Sequence, residues 1–114
     1  MMRIYGCQLD IAWENKNENF RRIRALLNKC KLSPNSLVVL PEMFATGFSM
    51  NADAIAEDAD GPTDGFLREL AREKGVFVLG GLARSASRGR ILNEAVCIAP
   101  SGRRVACYAK LHLF

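Results

Sequence analysis

The chain has 114 residues, enough for one small domain, and its 49% hydrophobic content excludes a chain that is disordered by composition. Its 16 Lys and Arg against 12 Asp and Glu give a net charge of +4 at pH 7. These basic residues are scattered along the chain without a long block, so we expect no nucleic-acid partner.

Features that bear on the cellular compartment point to the cytoplasm. The N-terminus has no long apolar segment of the kind found in signal peptides, and no stretch approaches the roughly eighteen apolar residues that span a membrane. The four cysteines, at positions 7, 30, 97 and 107, lack the C-x-x-C spacing of metal and redox sites. We therefore expect no membrane association, no metal site, and small buried cysteines in a reducing, cytoplasmic compartment.

The first half of the chain alternates between strand and helix patterns. Residues 4–9 predict a strand, and apolar residues at spacings of three and four between positions 20 and 30 predict a helix. Asn17 or Asn19 is the expected N-cap of that helix. Residues 37–40 (LVVL) predict a second strand, whose uniformly apolar character is typical of a strand covered on both faces.

A second helix and a third strand follow. Thr63 is the expected N-cap of a helix that ends at Lys74-Gly75, and residues 76–79 predict another buried strand. Gly80-Gly81 belongs to neither a dinucleotide-binding nor a Walker pattern. We therefore interpret this pair as a tight exit from the strand.

The last third of the chain has the pattern of a β-hairpin. Residues 91–99 and 103–109 predict two strands, joined by a turn at Pro100-Ser101-Gly102. Helix-length crossovers between the earlier strands predict parallel pairing, and the hairpin adds antiparallel strands to the same sheet. The predicted fold class is therefore α/β with a mixed sheet.

Glu42 is the first candidate for chemistry, because it follows a buried strand at the sheet edge where α/β proteins place functional groups. Apolar neighbours would raise the pKa of this carboxyl by desolvation, which suits a general base. A glutamate at the start of a surface loop explains the same position equally well. Met43, Phe44 and Phe48 would form an apolar wall for a substrate, or would pack in the core.

Lys110 is the second candidate, because it lies among apolar residues at the end of the last predicted strand. It would pair with a carboxylate or donate hydrogen bonds to a developing oxyanion, whereas a snorkelling lysine on an edge strand is the simpler interpretation. His112, the single histidine, has no neighbour at metal-ligand spacing. We expect it to be a packed or hydrogen-bonded structural residue.

Four segments carry a family resemblance in their order along the chain: PEMFATGF at 41–48, GG at 80–81, LNEAVCIAPSGR at 92–103 and YAKLHLF at 108–114. Together they resemble the nitrilase superfamily of carbon–nitrogen hydrolases, and the resemblance covers essentially all 114 residues. The first segment is most similar to the omega-amidase-like branch. That branch hydrolyses the terminal amide of 2-oxo acid amides such as 2-oxoglutaramate.

The resemblance implies a fold and an assembly. Members of the superfamily fold as α-β-β-α sandwiches, so residues 1–114 would be the N-terminal portion of a single carbon–nitrogen hydrolase domain. This half of the sandwich would have a mixed sheet with two helices on one face, and it would leave an apolar face and a strand edge exposed. Relatives commonly form dimers or larger assemblies, so the full-length protein is expected to be a homo-oligomer.

The resemblance also implies a Glu-Lys-Cys mechanism that needs no metal or organic cofactor. Glu42 matches the general base and Lys110 matches the oxyanion stabiliser, with Glu42 held near a neutral pKa opposite Lys110. The family's nucleophilic cysteine lies beyond the Lys motif and is absent from this chain. Cys107 lies three residues before Lys110, so in a strand the two side chains would point to opposite faces. We therefore expect the 114-residue chain alone to be inactive.

The residues leave alternatives open at two levels. The chain would be the front part of a hydrolase that acts on a small-molecule amide, or a non-catalytic fragment or assembly partner of a nitrilase-like protein. A small basic binding module is the third alternative, against which the scattered charge argues. The residues do not distinguish amide, nitrile and carbamoyl substrates. Reading the frame downstream of the Phe114 codon would separate an ordinary hydrolase from a natural truncation or a gene-model fragment.

Overall fold

A five-stranded mixed sheet organises residues 1–113, which are the residues that the computed structural model describes. The strands lie side by side in chain order: β1 (Ile4–Gly6), β2 (Leu37–Val39), β3 (Phe77–Ser85), β4 (Ile91–Ile98) and β5 (Arg104–Ala109). β1, β2 and β3 run parallel, whereas β4 and β5 join the sheet in antiparallel fashion. The predicted α/β class with a mixed sheet is therefore confirmed.

Two long helices pack on one face of this sheet. The helices are α1 (Lys16–Asn28), the short α2 (Ala52–Ile55) and α3 (Pro62–Lys74), and a single 3-10 turn (Ser87–Gly89) joins β3 to β4. The core beneath the long helices combines buried helix and strand side chains: Ile23, Leu27, Leu67, Leu70, Val38, Val78, Val96 and Ile98. Among the helices of residues 1–113, none is long and apolar enough to cross a membrane.

The N-cap of α1 is Asn15, so the prediction of Asn17 or Asn19 is wrong. The Asn15 side chain accepts a hydrogen bond from a backbone N–H of the first turn at 3.1 Å. Asn19 is buried instead, and its amide donates to the backbone oxygens of residues 12 and 45 at 2.8 and 2.7 Å. Asn19 thereby ties the loop before α1 to the loop after β2.

Thr63 lies inside α3 rather than at its cap, so this prediction is also wrong. Gly61 is the N-cap, and Pro62 occupies the first turn, where its missing N–H removes no helical hydrogen bond. Thr63 is fully buried, and it donates its backbone N–H (2.7 Å) and its hydroxyl to the carboxylate of Glu57. At the other end, Gly75 adopts the left-handed conformation (φ 63°) that the predicted helix stop requires.

Gly80-Gly81 lies inside β3, so the predicted strand exit at this pair is wrong. Pairing with β4 continues beyond the glycines and carries β3 on to Ser85. The glycines instead allow close approach on both faces of the sheet. A Cβ at Gly80 would lie 2.7 Å from the ring of Phe44, and a Cβ at Gly81 would lie 3.4 Å from the Cα of Glu42.

A buried ion cluster lies on the helix side of β3 and β4. The Arg84 guanidinium donates two hydrogen bonds to Asp64, at 2.7 and 2.8 Å, and a third to Glu94 at 3.2 Å. The three side chains are at most 11% exposed. Burial raises the pKa of Asp64, but the hydrogen bonds and the charge of Arg84 outweigh burial and hold that pKa below its ordinary value.

The opposite face of the sheet is apolar and only partly covered. Alternate strand residues on this face are half-buried: Leu37, Val39, Phe77, Leu79 and Cys97. Tyr108 extends the same face on β5, where its side chain is 60% exposed. β5 is exposed along nearly its whole length and forms an edge of the sheet. The apolar face and the exposed edge that the resemblance implied are therefore present among residues 1–113.

The cysteines are less buried than expected, so that prediction is wrong. Cys30 and Cys107 are exposed, whereas Cys7 and Cys97 are half-buried. Cys107 is exposed because it lies on the edge strand, and Cys30 is exposed because it follows the end of α1. The register pairs Cys107 with Val96, whose side chain lies in the core, so the Cys107 thiol lies on the helix side of the sheet.

The Asp64→Ala substitution is expected to lower the free energy of unfolding by about 3 kcal/mol, because it removes one of two carboxylates from a buried arginine. Denaturant unfolding in dilute solution measures this, with the exposed Asp10→Ala variant as control. The Asp64 pKa is lowered on folding, so its contribution is complete above the ordinary value of 3.8 and is lost as the pH falls through the folded value. Equal stability of the variant and wild type would contradict the role of this cluster.

The 114-residue chain is expected to self-associate through its apolar face, giving masses above 12.6 kDa that rise with concentration in light scattering after size exclusion. Tyr108→Lys should reduce association because it places a charge on that face. Cys107→Lys, on the other side of the same strand, is the matched control. A cooperatively melting 12.6 kDa monomer at all concentrations would count against this prediction.

Candidate active site

Three polar side chains meet at one end of the partly covered sheet face. Glu42 follows β2, Asn93 lies within β4, and Lys110 directly follows β5. Lys110 Nζ lies 3.1 Å from Glu42 Oε1, and Asn93 Nδ2 donates to the same oxygen at 2.6 Å. The structure thus brings together the two residues singled out in the sequence and adds Asn93, which the sequence reasoning missed.

The strand register explains why these side chains converge. The Lys110 backbone N–H donates to the Asn93 carbonyl at 2.8 Å, so the two residues are cross-strand neighbours on one face. The backbone of Glu42 crosses the same face above Gly81, where the missing Cβ leaves room for it. A register shift between Cys97 and Ile98, after the turn at residues 100–102, places Asn93 opposite Lys110. The turn alone does not predict this pairing, and the only sequence signal for Asn93 was a polar side chain in a mostly apolar strand.

A cavity of about 290 Å³ adjoins the three polar side chains. Its other walls come from the sheet face: Leu79, Gly81, Ala95 and Tyr108. A second cavity of about 150 Å³ shares Asn93 with the first and is lined mainly by apolar side chains, among them Met43, Phe48, Met50 and Ile91. A polar cluster beside apolar walls is the usual composition of a small-molecule site.

The three apolar residues predicted near Glu42 take different positions. Met43 and Phe48 line the second cavity, and Lys110 Nζ lies 5.9 Å from the centroid of the Phe48 ring, within the range of a cation–π interaction. Phe44 is fully buried, and its ring contacts Phe20 and Phe66 in the core. For Phe44, therefore, the core alternative is correct and the substrate wall is not.

The electrostatics of Glu42 differ from expectation, since its pKa lies below the ordinary value instead of being raised. The hydrogen bond from Asn93 has the largest effect, the hydrogen bond and charge of Lys110 add to it, and desolvation opposes them without outweighing them. The Glu42 side chain is 48% exposed, because neighbouring Met43 and Phe44 turn into the interior and form no collar around it. In the described part of the chain, Glu42 is therefore a charged carboxylate that is partly exposed to solvent.

The remaining candidates contribute little to this site. His112 is exposed and makes no hydrogen bond within residues 1–113, so the expectation of a packed or hydrogen-bonded histidine is wrong. Within the same range, no group of three or more His, Cys, Asp or Glu side chains is placed to hold a metal ion. Neither cavity described above is lined by a cysteine.

Comparison with known proteins assigns the chain to a family. The family model described as carbon-nitrogen hydrolase matches residues 5–114. The chain belongs to the carbon-nitrogen hydrolase family. This carbon-nitrogen hydrolase chain is similar to a nitrilase of Pyrococcus abyssi (31% identity over 100% of this chain and 45% of the relative). It is also similar to omega-amidase NIT2 of Homo sapiens (27% identity over 98% of this chain and 41% of the relative).

A solved structure with the same fold supports the assignment. XC1258 from Xanthomonas campestris, a CN-hydrolase superfamily protein with an arsenic adduct in its active site, has a TM-score of 0.88 and 33% identity. The match covers 99% of this chain and 42% of that one. The carbon-nitrogen hydrolase chain therefore spans less than half the length of these relatives, and its sheet and helices correspond to the N-terminal half of the fold. The resemblance to the superfamily and to its omega-amidase-like branch is confirmed.

The Lys110→Met substitution is expected to raise the pKa of Glu42, because it removes a hydrogen bond and a positive charge from the carboxylate. The pKa of Glu42 should rise only in part, since Asn93 still donates a hydrogen bond to the carboxylate. Titration of the Glu42 carboxyl carbon by NMR, assigned with Glu42→Gln, measures it. The exposed Lys31→Met variant should leave the titration unchanged, and an unmoved pKa in Lys110→Met would contradict the ion pair.

Proposed function

We propose that this protein hydrolyses the terminal amide of a small 2-oxo acid by a Glu-Lys-Cys mechanism, as an omega-amidase would. The main support is the contact of Glu42 with Lys110, a carboxylate and an ammonium 3.1 Å apart beside a cavity of about 290 Å³. A cavity of this size suits a small metabolite. Similarity to omega-amidase NIT2 supports the substrate class.

In the proposed reaction, Glu42 is the general base and proton shuttle. It takes the proton of a cysteine thiol while the sulfur forms a bond to the amide carbon, and Lys110 stabilises the oxyanion that results. Glu42 then passes the proton to the amide nitrogen, the C–N bond breaks, and ammonia leaves a thioester. Water attacks the thioester, with Glu42 as base, and releases the carboxylic acid and the thiol.

The thiol in this proposal comes from outside the 114 residues. The Cys107 thiol lies on the helix side of the sheet, away from Lys110. Cys30 follows α1 and lines a cavity beside β1 that contains neither Glu42 nor Lys110. Burial raises the pKa of Cys7 and of Cys97, which disfavours their reactive thiolate forms. The 114-residue chain alone is therefore proposed to be inactive, with Glu42 and Lys110 as its contribution to the site.

The sequence and the family resemblance support the following proposal for the substrate class, the assembly and the cellular location. The substrate is a small-molecule amide, the full-length protein is a homo-oligomer in the cytoplasm, and no nucleic acid or membrane takes part. Met43 and Phe48, which line the second cavity, form the wall against which the carbon chain of the substrate lies.

The partly covered sheet face favours a second candidate function, that of a non-catalytic assembly partner. The side chains of this face, such as Phe77 and Leu79, are half-buried and would be covered by a full-length relative. The two candidates differ in one measurable respect. A partner would change the assembly state of such a relative without releasing ammonia, whereas a hydrolase turns over on its own once its whole domain is present.

Glu42→Gln and Lys110→Met are each expected to lower kcat/KM for ammonia release from 2-oxoglutaramate by at least about a hundredfold, because they remove the base and the oxyanion stabiliser. The assay uses the protein as its gene encodes it, with a nitrile and an N-carbamoyl compound as competing substrate classes. The exposed Glu73→Gln and Lys31→Met variants are matched controls for the loss of one charge.

Each outcome of this assay decides between stated alternatives. Full activity of Glu42→Gln would exclude the proposed mechanism. Preference for the nitrile or the carbamoyl compound would reject the omega-amidase assignment while leaving the family intact. If the reading frame ends at the Phe114 codon and the wild type releases no ammonia, the assembly-partner candidate replaces the hydrolase.

A further inference from the structure

The two hydrogen-bond donors at Glu42 act on the same carboxylate oxygen. Asn93 Nδ2 lies 2.6 Å and Lys110 Nζ lies 3.1 Å from Oε1. The other oxygen, Oε2, accepts no hydrogen bond from residues 1–113. One oxygen is thus held in place while the other is available to accept a proton.

Asn93 is the less exposed of the two donors and lies within a strand, whereas Lys110 lies just beyond one. The Asn93 carbonyl accepts the Lys110 backbone N–H at 2.8 Å, which fixes Asn93 within the sheet. The next residue, Glu94, is buried and bonded to Arg84 at 3.2 Å on the helix side. The Lys110 side chain, in contrast, is 41% exposed and follows the last strand.

The difference between the two donors is important when an oxyanion forms beside them. An ammonium that turns toward a developing oxyanion weakens its own bond to Glu42 at the moment when the carboxylate must hold its orientation. A neutral amide is attracted to the oxyanion less strongly than an ammonium is, so it continues to donate to Oε1. The Glu42 carboxylate accepts but cannot donate while ionised, so the NH₂ end of Asn93 must face it.

We propose that Asn93 is a positioning residue that holds Glu42 by Oε1, so that Oε2 is the oxygen that accepts and returns the proton. This inference rests on the proposed function, in which Glu42 is the general base. Asn93 touches neither the thiol nor the amide in this role, and it acts only through the orientation and basicity of Glu42.

The test replaces Asn93 by Ala in the protein as its gene encodes it. We expect kcat for ammonia release to fall roughly 10- to 100-fold, as for loss of a hydrogen bond to a charged group, with KM changing less than about threefold. The acidic limb of the kcat profile should move to higher pH, together with the Glu42 carboxyl titration seen by NMR. The exposed Asn17→Ala variant should change none of these quantities.

Asn93→Asp provides a second variant of the same shape in case the alanine variant does not fold. The introduced carboxylate cannot donate and repels Glu42 at neutral pH, so activity should fall there and recover in part when the medium is acidified. Unchanged kcat and an unmoved Glu42 titration in both variants would overturn the inference. A wild type that releases no ammonia, but whose Glu42 titration still moves in Asn93→Ala, would reject the proposed function and keep the positioning contact.

Discussion

The antiparallel pairing of β3 with β4 is the constraint on which the site depends. It links eight pairs of residues, from Val78 with Ile98 to Ser85 with Ile91. This ladder places Asn93 on the partly covered face and leaves a glycine beneath the backbone of Glu42. Without this ladder, the hairpin that carries Lys110 would have no fixed distance from the end of β2.

Two ion pairs of opposite character lie on the two faces of the sheet. Arg84 and Asp64 are buried on the helix side, where removal of one partner leaves the other charge unpaired in the interior. Glu42 and Lys110 are each more than 40% exposed on the other side, and exposed pairs of this kind contribute little to stability. The buried pair therefore stabilises the fold, whereas the exposed pair contributes little to stability and is the one to which the proposed function gives a catalytic role.

The order of elements was predictable from the sequence because the apolar period changes clearly between strand and helix. The predictions that failed depend on tertiary contacts that periodicity does not report. Gly80-Gly81 is a site of close approach rather than a strand exit, and this follows only from where Phe44 and Glu42 pack. The pKa of Glu42 could not be predicted either, because it depends on Asn93 across the sheet. The pairing of Lys110 with a carboxylate was foreseen as one of its alternatives.

The partly covered sheet face has a consequence for the electrostatics of the candidate site. Glu42 and Lys110 border the same apolar surface as Leu79 and Tyr108. A protein layer over this surface would replace water with a medium of lower dielectric constant, and both the attraction within the pair and the cost of an unpaired charge would increase. Covering this face and strengthening the interaction between Glu42 and Lys110 are then a single event.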